Sequence, residues 1–71
     1  MWKTIYIAKD ILTANNLEKS LREKGIKTIL NKLDISKKKD ELAGNVEILV
    51  LKSEAREAFL VINESLIEEN I

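Results

Sequence analysis

Apolar and polar positions alternate along Trp2-Lys3-Thr4-Ile5-Tyr6-Ile7-Ala8, a segment rich in β-branched and aromatic side chains, which predicts a strand. Regular alternation would place Ile5 and Ile7 on one face and Trp2, Thr4, Tyr6 and Ala8 on the other. From Asp10 the period changes. Ala14, Leu17 and Leu21 recur at spacings of three and four, the stripe of a helix. Asp10 is its N-cap, and Glu18 and Arg22 form an i,i+4 ion pair on its flank. Gly25 stands where a helix takes its left-handed C′ residue, and Ile26 follows as the C″ residue that touches Leu21. Lys27 to Leu33 predicts a second strand, with Ile29 and Leu33 alternating against Thr28 and Leu30. A polar connection follows. Val46 to Leu51 is the clearest strand, with Val46, Ile48 and Val50 on one face and Glu47, Leu49 and Leu51 on the other. Ser53 is placed to cap a last helix, with Glu54 favourable in its first turn. Its core stripe is Ala55, Ala58, Phe59, Ile62 and Leu66.

The order β-α-β-β-α implies an α+β fold in which the second and third strands pair antiparallel and both helices lie on one face. This is a two-layer plait, ferredoxin-like without the last strand. Seventy-one residues make a single domain, 1–71, in which 34–45 is a flexible loop. So short a chain has a small core, and association would add buried area.

Composition narrows the function classes. The chain is 45% apolar and 34% charged, which describes a soluble globular protein. Twelve basic residues balance twelve acidic ones, so no net field draws in nucleic acid or an acidic membrane. Cysteine and histidine are both absent. That removes thiolate chemistry, disulfides, and the commonest general base and metal ligand. No apolar run reaches the roughly 18–20 residues of a membrane span, and no signal peptide is visible, so the expected location is the cytoplasm. No catalytic, cofactor-binding or metal-binding residue stands out, and no cofactor is expected. The carboxylates Asp34, Asp40, Glu41, Glu64, Glu68 and Glu69 read as solvated surface groups.

Three features are candidates for binding. On the last helix Leu60, Ile67 and Ile71 lie about 120–160° from the core stripe at 100° per residue. They are either surface residues of a fraying end or a subunit or partner contact. Trp2 and Tyr6 share a face of the first strand under regular alternation. Without a basic stripe beside them they suit a covered sheet face, such as a dimer contact, better than base stacking. Lys37, Lys38 and Lys39 form a basic run that could hold an anion or an acidic partner, although Asp40 and Glu41 cancel much of its field.

The segments Trp2-Lys3-Thr4-Ile5-Tyr6-Ile7-Ala8, Leu21-Arg22-Glu23-Lys24-Gly25-Ile26, Val46-Glu47-Ile48-Leu49-Val50 and Ser53-Glu54-Ala55-Arg56-Glu57-Ala58 carry a resemblance to small clostridial-type bacterial proteins. The chain is similar to the prokaryotic signal-transducing protein family, a domain family of unknown function. The resemblance covers nearly everything except 34–45 and implies a β-α-β-β-α domain. Its motifs are structural, so it transfers no functional residue. Where relatives have a proline after the third strand, this chain has Leu51-Lys52. Some such proteins carry the name glutamate decarboxylase. That chemistry needs a Schiff-base lysine, a phosphate cradle and a large closed site, which these residues do not provide.

The expectation is therefore a non-enzymatic regulatory or protein-interaction domain. Its partner would be itself or another protein, with a small effector possible, and neither nucleic acid nor membrane. The alternative is a domain that senses a small metabolite bound at a subunit interface.

Overall fold

The computed structural model describes residues 1–33 and 43–69. Its elements follow the expected order: β1 (Trp2–Asp10), α1 (Ile11–Glu23), β2 (Thr28–Lys32), β3 (Ala43–Leu51), a 3₁₀ turn (Lys52–Glu54) and α2 (Ala55–Glu69). The sheet is antiparallel throughout, with order β1-β3-β2, and both helices pack on one side of it. This is the α+β, ferredoxin-like arrangement without its last strand. Of the polar connection expected over 34–45, positions 43–45 belong to β3, and 34–42 lie outside the described residues.

Both ends of α1 form as the sequence implies. Asp10 has extended backbone, and its Oδ1 accepts the Thr13 N–H at 2.7 Å, which satisfies one of the free donors of the first turn. At the other end Ile26 N–H donates to the Leu21 carbonyl (3.0 Å) and Gly25 N–H to the Arg22 carbonyl (2.9 Å). This 6→1 and 5→2 pair is a Schellman motif, and it turns the buried Ile26 back onto the core beside Leu21. The Gly25 φ of +78° is what the motif requires, and a Cβ there would meet no atom within 4 Å. Gly25→Ala should therefore lose about 1–2 kcal/mol through backbone conformation alone. Gly25→Asn should lose less, because asparagine tolerates the left-handed region. Equilibrium urea unfolding of the two variants checks the ranking.

The core is the layer between helices and sheet. β3 contributes Val46, Ile48 and Val50, α1 contributes Ala14, Leu17 and Leu21, and α2 contributes Ala58, Val61 and Ile62, with Ala8 and Ile26 completing it. Ser65 of α2 donates to Ser20 of α1 at 2.9 Å, so the helix seam carries a hydrogen bond as well as apolar contacts.

Three local expectations are corrected. First, Thr4 pairs with Leu49 and Tyr6 with Ile48, which leaves Ile5 without a partner. A bulge inserts one residue and reverses the facing of everything before it. Trp2 and Thr4 consequently share a side with Ile7, while Tyr6 and Ala8 take the helix side, and Tyr6 and Ile5 both pack against the buried cluster. Trp2 and Tyr6 do not share a face.

Second, Phe59 is 50% exposed, whereas Val61 is buried. α2 is turned so that Ala58, Val61, Ile62 and Leu66 meet the core. Phe59 points past the outer edge of β1, where no further strand lies among the described residues. Third, Ser53 lies inside the 3₁₀ turn, which has no side-chain cap, and α2 begins at Ala55.

Candidate functional site

The helices leave the other side of the sheet bare among the described residues. Its side chains follow from the register. Residues of β3 at odd positions, Asn45, Glu47, Leu49 and Leu51, point away from the core, and each β1 or β2 partner directly opposite shares their side. Trp2 lies opposite Leu51. Thr4 and Ile29 flank Leu49. Ile7 and Asn31 flank Glu47. Leu33 donates its N–H to the Asn45 carbonyl at 3.0 Å and extends the same face. The result is an apolar surface of Trp2, Leu51, Leu49 and Ile29 at one end, with Ile7 and Leu33 toward the other. Trp2, Ile7, Ile29 and Leu33 are all exposed, Ile7 to 52%. Single exposed apolar residues are ordinary on a protein surface, but a contiguous group across three strands is not.

One charged group sits within this surface. Glu47 lies at the centre of the sheet, and both of its oxygens are engaged: the Thr4 hydroxyl donates to Oε2, and Asn31 Nδ2 donates to Oε1 at 3.0 Å. These bonds hold its carboxyl below the ordinary value of 4.5, with Thr4 the larger cause and Asn31 the second. Such a carboxylate stays ionised and is a poor proton acceptor near neutral pH. Asp10 is likewise held below its ordinary 3.8, chiefly by the Thr13 N–H at the helix cap.

A depressed folded-state pKa contributes stability that is complete above the unfolded value and is lost as pH falls through the folded one. Stability should therefore decline from about pH 4.5 downward. Glu47→Gln and Asp10→Asn should each flatten that decline, because neither amide takes up the proton that the unfolded wild type binds. Urea midpoints measured from pH 6 to pH 2 show whether they do.

The sequence-predicted candidates scatter. Trp2 belongs to the open face, and Tyr6 is on the helix side. Leu60 and Ile67 are 63% and 65% exposed on the outer side of α2, away from the open sheet face. Ile71, Lys37, Lys38 and Lys39 lie outside the described residues. Ile7, Ile29, Leu33, Leu49 and Leu51 were not singled out as a surface, nor were Thr4, Asn31 and Glu47 as a hydrogen-bonded group. The available signal was β3 itself: with Val46, Ile48 and Val50 facing the core, Leu49 and Leu51 had to face elsewhere.

Among the described residues no cluster of carboxylates could hold a metal ion, and no helix is long and apolar enough to cross a membrane. Comparisons with protein-family models, with curated proteins and with solved structures find no match to this chain.

Proposed function

We propose that this chain is a non-catalytic interaction domain that associates with a second copy of itself through the open face of its sheet. The observation that carries this reading is the apolar group Trp2, Leu51, Leu49 and Ile29, with Ile7 beyond Thr4, on a sheet whose other side is already covered. Two such faces can stack about 10 Å apart, as in a β-sandwich, and bury one another.

Net charge does not oppose a like partner. The chain has twelve basic and twelve acidic residues, so two copies do not repel through net charge. Glu47 is an ionised side chain at the centre of the face, and its oxygens already hold the Thr4 and Asn31 donors. Covering it therefore leaves those two donors satisfied.

A regulatory role fits a module whose action is association. Mass in solution tests the reading. The wild type should behave as a dimer, and the double variant Ile7→Lys/Ile29→Lys as a monomer.

A further inference from the structure

A second surface lies on the helix side, at the outer edge of β1. There Lys3, Thr4 and Ile5 of β1, Lys52 of the 3₁₀ turn, and Ala55, Arg56, Phe59 and Leu60 of α2 line an open groove of about 680 Å³. Its floor is apolar: Ile5 packs toward the helices at the bulge and Phe59 is half exposed, with Leu60 at the margin. Its rim is cationic. Lys3, Lys52 and Arg56 border it, and among the described residues no acidic side chain lines it and none of the three is ion-paired.

Topology says what shape fits. β1 is an edge strand, paired only with β3 among the described residues. In a split β-α-β plait the helix after β3 crosses over β1, and a right-handed crossover then lays a fourth strand antiparallel to β1 on its free side. α2 has made that crossover, and Phe59 lies beside the place where the strand would lie.

We propose that the outer edge of β1 and this groove accept an extended acidic segment of a partner protein as a fourth strand. Backbone groups of the segment pair with β1. Its apolar side chains cover Ile5, Phe59 and Leu60, and its carboxylates meet Lys3, Lys52 and Arg56. A second copy does not suit this site. An isologous contact would bring the cationic rims of both copies together. The cations beside this edge disfavour pairing with a second copy and favour an acidic strand.

The test is selection of binders from a displayed library of random segments of about ten residues on the intact protein. Selected segments should alternate apolar residues with Asp or Glu. They should slow hydrogen exchange of β1 amides, and they should bind about tenfold or more weakly to the double variant Lys52→Glu/Arg56→Glu. The proposal is overturned if no segment is selected, if those selected are not acidic, if protection falls away from β1, or if charge reversal changes nothing. It is also overturned if Lys52→Glu/Arg56→Glu disrupts a wild-type dimer, since the groove would then be a self-association surface. The sheet-face variant Ile7→Lys/Ile29→Lys should leave segment binding intact, which separates this proposal from the previous one.

Discussion

Ile48→Ala should destabilise the protein by about 2–5 kcal/mol. Ile48 lies on the central strand between Tyr6 and Leu30, is fully buried, and belongs to the cluster that α1 and α2 close over. A chain of 71 residues has a total stability of about 4–11 kcal/mol at roughly 0.05–0.15 kcal/mol per residue. The loss is thus a large share of the whole, and part of the variant population should be unfolded at 37 °C. Nothing covalent resists this, since the chain has no cysteine.

Phe59→Ala is the informative comparison. A fully buried phenylalanine would cost about 3–5 kcal/mol on truncation. A side chain half exposed at the edge of β1 should cost well under half of that. Urea unfolding gives both values, and an unchanged m-value would show that both variants unfold in the same two-state transition. A Phe59→Ala loss equal to that of Ile48→Ala would mean that α2 is turned as its sequence stripe suggests rather than as described.

The second large effect is on association. Ile7→Lys/Ile29→Lys places two cations on the open face, on the strands flanking Glu47 and Leu49. Both parent side chains are exposed in the single chain, so their replacement should leave the fold's stability close to that of the wild type. In a stacked dimer the same positions are buried, and two added charges per copy, only one of them beside a carboxylate, would be removed from water. Dissociation by about a hundredfold or more in Kd is expected, which corresponds to about 2.8 kcal/mol. Leu60→Glu and Ile67→Glu, on the outer side of α2, should leave the mass unchanged. If they dissociate the protein and the sheet-face variant does not, the helix stripe is the contact surface.

The sequence made most of the architecture legible, for identifiable reasons. α1 was readable at both ends because Asp10 and Gly25 are residues whose chemistry is specific to those positions. β3 was readable because its alternation is unbroken from Val46 to Leu51 and it is central, so both of its neighbours enforce its register. β1 was readable as a strand but not in its facing. A bulge leaves no mark on the alternation of Thr4, Ile5 and Tyr6, and one unpaired residue was enough to send Trp2 and Tyr6 to opposite sides.

The phase of α2 is not legible in the sequence for a related reason. The stripe through Phe59 and the stripe through Val61 differ by a small rotation of the same helix. What chooses between them is whether a strand lies beneath Phe59, and that is a property of the sheet. The candidate surface was therefore hidden behind two tertiary facts, the bulge and the free edge. Once these are known, the open face follows from β3 and its register.

Sedimentation equilibrium of the wild-type protein over about a hundredfold range of concentration addresses the central claim directly. Face-to-face association predicts a species of about twice 8.1 kDa that dissociates on dilution as a single monomer–dimer equilibrium and is lost in Ile7→Lys/Ile29→Lys. A species of 8.1 kDa at every concentration, identical for wild type and variant, would contradict it.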